Sequence, residues 1–293
     1  MDARARAASL AIWRRPVEPV PLSGGITNAN FLVDDGTRRC FVRIGDDIPV
    51  HHVVRWHELA ASRAAEAAGI SPPVLHAEPG ALVLGFVDGR TLGPEDVRLR
   101  HQQERIVELL RRAHREIPRH LHGASLVFWV FHVLRDYAAT LRAGASRLEA
   151  MLPGLLERAE RLERAVGAID LVFGHNDLLA ANLLDDGRRL WLVDWDYAGW
   201  NSPLFDLGGL ASNSELPPAD REWLLAAYFD RPVDDGLRLR AQAMLTASLL
   251  REAMWSMVSE LHSGLDFDFV AYTAQNLDRF EQAWAAFLAM DPP

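Results

Sequence analysis

The chain has no lysine and a single cysteine, Cys40, among its 293 residues. One thiol cannot close an internal disulfide, and a chain of this length can bury a sizeable core without one, so a reducing, cytoplasmic setting is expected. The absence of lysine sends every phosphate-directed positive charge to arginine. No run approaches the roughly 20 apolar residues that span a bilayer, so no membrane span is expected. The N-terminal MDARARAASLAIWRR has arginines beside an apolar patch but no sustained signal-peptide core. It reads as the first element of a soluble protein. Basic charge is scarce as well. A formal net charge of -9 excludes a dedicated nucleic-acid binder with a basic stripe, and it mildly favours a cationic ligand. Apolar content of 49% and charged content of 24% exclude both disorder and a fibrous architecture.

What is present divides into a β-rich beginning and a helical remainder. VEPVPLS, then FLVDD, the turn Asp35-Gly36 and RRCFVRIG read as strands, with GGITNAN between the first two. A helix is predicted over Val53 to Ala68, stopped by Gly69 and Ser71-Pro72-Pro73. VLHAEPGALVLGFVDG reads as two more strands around a Pro79-Gly80 turn, completing a five-strand sheet with one helix near Val87. Beyond Pro94, helical spacing takes over. Ile106, Leu109, Leu110 and Ala113 form one such series and Val133, Tyr137 and Leu141 another, with a further helix over Leu155 to Val166. LVFG then leads into HNDLLAANLL, the turn Asp186-Gly187 and RRLWLVDWDY, a small hairpin set among helices that resume at Leu204. The expected fold is α+β and bilobal, with an antiparallel β-rich lobe over 1–87 and a mainly helical lobe over 88–293.

The hairpin carries the chemistry. Phosphoryl transfer asks the protein for metal ions on the phosphates and a base near the attacking hydroxyl. Magnesium takes hard oxygen ligands and keeps waters, so one or two carboxylates and an amide oxygen suffice. Asp177, Asn182 and Asp194 flank one predicted hairpin, whose return strand brings Asp194 beside Asn182. Singly, each would be an ordinary turn residue. Together, between two apolar strands, they make a site.

HNDLLAANLL followed by LVDWDYAG resembles the catalytic and metal-binding loops of choline/ethanolamine kinases and aminoglycoside phosphotransferases, relatives of the protein kinases. The resemblance implies a protein-kinase-like fold, with ATP and Mg2+ as cofactors. It implies Asp177 as the base, Asn182 and Asp194 as metal ligands, and His175 as a structural member of the loop. No activation segment ending in Ala-Pro-Glu is present, so the acceptor is not expected to be a protein. LSGGITNANFLV is similar to the nucleotide-covering loop of choline kinases. Gly24 and Gly25 would let backbone approach phosphate, while Ser23, Thr27 and Asn28 add donors. Arg43 stands where protein kinases keep a lysine, with Glu58 as its expected partner and Glu66 as the competitor. ALVLGFVDG looks like the hinge, where Gly85, Phe86 and Val87 would meet adenine.

The acceptor is read from the helix SLLREAMWSMVSELHS. Leu250, Met254, Met257 and Leu261 form its apolar stripe, and Trp255 falls off that stripe beside Arg251, Glu252, Ser259 and His262. Such a tryptophan packs on a second element or lines a pocket. Choline kinases resemble this region, which implies Tyr197 and Trp255 as faces for an ammonium group, with Asp196 and Asp206 as counter-charges. The family position of Asp206 also fits a structural role. Glu252 stands where eukaryotic choline kinases carry a second tryptophan, which leaves ethanolamine or another amino alcohol open beside choline. The reading is therefore an ATP-dependent kinase of a small cationic alcohol, with a homodimer an admissible assembly. Its competitors are an aminoglycoside or other small-alcohol phosphotransferase, and a pseudokinase-like binding module that would lack the base or a metal ligand.

Overall fold

The computed structural model describes residues 2–22 and 28–291. Of the predicted nucleotide-covering loop, Ser23, Gly24, Gly25 and Thr27 lie outside the described residues.

The chain opens on α1 (Ala3–Ala8), capped by the Asp2 carboxylate, which accepts the Ala5 N–H. It packs on an antiparallel sheet of β1 (Val20–Leu22), β2 (Ala29–Asp34), β3 (Arg39–Ile44), β4 (Val74–Glu78) and β5 (Ala81–Gly85) in the order β1-β2-β3-β5-β4. The β2–β3 turn closes because Asp35 Oδ1 accepts the N–H groups of Thr37 and Arg38, with Gly36 left-handed at φ 79°. Alternation in β2 and β3 sends Phe31, Val33, Cys40 and Val42 to one face, where with Ala7, Leu10, Ala81 and Val83 they form a small core. Cys40 is part of that core and carries no disulfide.

Between β3 and β4 runs α2 (Arg55–Ala67), and its buried Ala61, Ala64 and Ala65 join the larger core instead. The chain then passes through β6 (Arg90–Thr91), α3 (Pro94–Val97), α4 (Arg100–His120), α5 (Val130–Ala143) and α6 (Leu152–Val166). Next come β7 (Val172–Gly174), β8 (Leu183–Asp185), β9 (Leu190–Leu192) and β10 (Gly199–Asn201). β8 and β9 form the predicted hairpin, to which β6 adds an edge, while β10 pairs with β7. Neither two- nor three-residue addition announces itself by periodicity, since so short a strand offers no repeat to read.

The remainder is α7 (Pro203–Asn213), α8 (Pro218–Phe229), α9 (Asp235–His262) and α10 (Phe269–Met290). α9 is the central helix, packed by α5, α6, α7 and α10. Its approach to α7 depends on Gly208, where an added Cβ would lie 2.9 Å from the Leu245 backbone nitrogen. Because α9 is surrounded, the residues opposite its apolar stripe are buried too, Arg251, Trp255 and Ser259 among them. Trp255 therefore does not look out on a polar, open side. No helix among the described residues is long and apolar enough to cross a membrane.

Candidate active site

Strand β7 delivers the chain into the loop 175–182, and Asp206 on the first turn of α7 holds that loop. Its Oδ2 accepts the His175 N–H at 2.8 Å and its Oδ1 the Asn176 N–H at 2.7 Å. His114 Nε2 approaches Oδ2 at 2.8 Å from α4, and Tyr228 OH backs the other ring nitrogen at 2.7 Å. Burial alone would raise the Asp206 carboxyl, but His114 and the loop N–H groups hold it below the usual range. Both oxygens are engaged and the residue is 1% exposed. Asp206 braces the loop from the interior, where a substrate counter-charge was the expectation for it. His114 was not legible in the sequence, because a lone histidine on a long helix carries no motif.

The loop needs that brace because Asn176 sits left-handed at φ 63°. Its amide donates to the carbonyls of Tyr197 (3.0 Å) and Gly199 (3.1 Å) and accepts from Asn201 Nδ2 at 2.9 Å. His175 is buried, with Nε2 2.9 Å from the Val193 carbonyl and Nδ1 3.3 Å from the Asp177 N–H. Burial depresses its pKa, so the ring is a neutral strut between loop and hairpin.

On this frame stand the three predicted polar residues. Asn182 donates its amide N–H to the Asp177 carbonyl at 3.0 Å, which turns its Oδ1 to the opposite side. The Val193 N–H donates to the Asn182 carbonyl at 3.0 Å, so the hairpin does bring Asp194 beside Asn182. Asp194 is left-handed at φ 68° and open to solvent. Desolvation by the surrounding walls and the carboxylates of Asp196, Asp177 and Glu58 push its carboxyl well above the usual range. Burial likewise pushes Asp177 up to about 7, against the pull of Arg251 and with the help of Glu252.

Across from the loop lies a buried ion cluster. Arg43 meets Glu58 through Nε–Oε1 at 3.2 Å and Nη2–Oε2 at 2.5 Å, and Arg43 Nη1 donates to the Gly45 carbonyl at 2.6 Å. Glu66 is elsewhere, accepting the Val74 N–H. Arg55, absent from the sequence expectations, joins the cluster. Its Nη1 binds Glu58 Oε2 at 2.9 Å and Asp196 Oδ1 at 2.6 Å, and its Nη2 binds Asn28 Oδ1 at 2.6 Å. Asn28 in turn donates to Asp196 Oδ2 at 3.1 Å. Asp196, expected as a counter-charge in an ammonium pocket, therefore pairs with Arg55 of α2. Arg55 provides a permanent charge that a carboxylate in this position cannot leave unpaired.

At the predicted hinge, the Gly85 N–H donates to the Pro73 carbonyl at 2.8 Å and the Phe86 N–H to the Arg39 carbonyl at 3.1 Å. Both donors are thus taken by the chain itself. The Phe86 ring lies 5.0 Å beneath the Arg39 guanidinium.

On the other side of Asp177, Trp255 and Tyr197, expected as faces for an ammonium group, are engaged with each other and with the chain. The Trp255 Nε1–H donates to Tyr197 OH at 2.9 Å, and the indole stacks on His51 with centroids 4.8 Å apart. The Arg251 guanidinium lies 4.3 Å over the Tyr197 ring. It also approaches Asp177 Oδ1 at 3.6 Å and Glu252 Oε2 at 3.1 Å, while Tyr272 OH donates to Glu252 Oε1 at 2.7 Å.

The family model described as choline/ethanolamine kinase matches residues 20–212, about two thirds of the chain. Among similar curated proteins, Protein LicA of Haemophilus influenzae is 27% identical, covering 71% of this chain and 62% of its own length. Ethanolamine kinase 2 of Mus musculus is 25% identical, covering 92% of this chain and 77% of that protein. A solved choline/ethanolamine kinase family protein from Mesorhizobium loti superposes with a TM-score of 0.78 at 29% identity, covering 98% of this chain and 97% of that one.

Proposed function

Since this chain belongs to the choline/ethanolamine kinase family, we propose that it transfers the γ-phosphoryl group of ATP to the hydroxyl of a small amino alcohol, ethanolamine or choline. One observation carries the reading. The fold sets Asp177, Asn182 and Asp194 on one braced loop-and-hairpin unit, opposite a buried Arg43–Glu58 pair. That is the arrangement an in-line phosphoryl transfer requires of a protein that does little covalent work.

Asp177 accepts the hydroxyl proton as the oxygen attacks phosphorus. A carboxyl pushed up to about 7 suits that task better than one at its ordinary value, because a base works best near the ambient pH. Arg43, held in place by Glu58, presents its remaining guanidinium edge to phosphate oxygens. Asn182 Oδ1 and the Asp194 carboxylate are hard oxygen donors and fit Mg2+, and the repulsion among Asp194, Asp196 and Asp177 is the field that a divalent cation relieves. When bound, magnesium neutralises charge on the phosphates. Among the described residues the acidic groups form no closed cage for a metal. Magnesium asks for none, since it keeps waters and phosphate oxygens.

A coupled ADP-release assay with ethanolamine, choline and an aminoglycoside tests the substrate class. Asp177→Ala should lose turnover by about 10²-fold or more, the usual contribution of a general base. Its melting temperature and ATP binding should survive. Undiminished turnover in that variant would sink the mechanism.

A further inference from the structure

The aromatic surfaces expected to hold a cationic nitrogen are occupied by the chain itself. The Tyr197 face lies under Arg251, at 4.3 Å, and Phe128 closes on the same guanidinium at 5.9 Å. One Trp255 face is taken by His51 and its N–H by Tyr197 OH. Arg251 is 4% exposed, so it is built into the wall and does not merely lie across it. Its Nε and Nη2 and the nearby Tyr137 OH are buried with no hydrogen-bond partner among the described residues. Arginine is always charged, and a second cation brought to the Tyr197 face would meet like charge.

A quaternary ammonium has no N–H to donate and depends on aromatic faces. A primary ammonium has three N–H groups and depends on acceptors. Beside Asp177 the wall supplies acceptors. Glu252 takes one bond on each oxygen, from Tyr272 and from Arg251, which leaves each oxygen a further lone pair.

We propose that Arg251 is a specificity-determining residue, filling the aromatic site so that the acceptor is an amino alcohol whose nitrogen still carries hydrogens. This rests on the kinase reading above. The test is kcat/KM along the series ethanolamine, N-methylethanolamine, N,N-dimethylethanolamine and choline. In the wild type the value should fall by about tenfold or more from first to last, the scale of one lost contact, with most of the loss in KM. Arg251→Met should shift the choline-to-ethanolamine ratio toward choline by a similar factor. If that variant does not fold, Glu252→Gln takes its place and should weaken ethanolamine more than choline. Choline used as well as ethanolamine by the wild type, or a folded variant with an unchanged ratio, overturns the proposal while the kinase reading stands. No ADP from any of the four alcohols overturns the kinase reading and the proposal with it.

Discussion

Replacing Asp206 by alanine is the sharpest test of how the active-site loop is held. The carboxylate accepts two loop N–H groups at 2.7 and 2.8 Å and sits 2.8 Å from His114 Nε2. Each hydrogen bond to a charged group contributes about 1.5–3 kcal/mol, and each buried N–H left without an acceptor costs about 1–3 kcal/mol. These terms describe the same atoms and do not add. A net loss of about 4 kcal/mol follows, in line with breaking a buried pair by removing one partner. At about 2 °C per kcal/mol for a chain of this size, the melting temperature should drop by about 8 °C. Asp177 would lose its position with the loop, and a displacement near 1 Å costs on the order of 10²-fold in rate. The assays are thermal melting and ADP release at saturating amino alcohol, with KM measured alongside. A brace predicts a lower melting temperature and lower kcat, with KM for the alcohol little changed. Unchanged melting with a raised KM would refute the reasoning and return Asp206 to the substrate.

His51 supplies a pH test. Burial, with Arg251 nearby, holds its pKa down at about 3 from an ordinary 6.5. Above pH 6.5 the ring is neutral in both states and carries no penalty. Below it the unfolded chain takes a proton that the folded one refuses, so stability falls by about 1.4 kcal/mol per pH unit toward pH 3. His51→Phe keeps a ring on Trp255 without the titration, and its melting curve should lose less than the wild type between pH 7 and about 4.5. Parallel losses would count against the buried neutral ring. Arg55→Met should leave Asp196 and part of Glu58 uncompensated, at about 3–5 kcal/mol. It should raise KM for ATP more than KM for the alcohol, because the cluster adjoins Arg43. An effect confined to the alcohol would place the cluster on the wrong side of the cleft.

Local patterns were legible. The strand alternation in FLVDD and RRCFVRIG, the Asp-Gly and Pro-Gly turns, and the hairpin that sets Asn182 beside Asp194 all depend on neighbours in sequence. So does the family, since the HNDLLAANLL and LVDWDYAG motifs are short and contiguous. Arg43 and Glu58 could be paired because the resemblance to kinases puts an arginine and a helix glutamate at those positions.

Partners brought together by packing were not legible. Asp196 is two residues from Asp194 and was placed with the substrate, yet Arg55, 141 positions away, claims it. Trp255 lay off the apolar stripe of α9, and the stripe would have meant a solvent face had only one side of that helix been covered. Four helices enclose it, so its polar side became an interior wall and Arg251 came to lie on Tyr197. The sequence by itself determined the longer elements, the turns and the family, because periodicity, turn propensity and contiguous motifs act over a few residues. Only the tertiary structure decided which charge faces which, and so what the acceptor wall can hold. A buried ionic partner is chosen by desolvation and geometry, and both exist only once distant segments have packed.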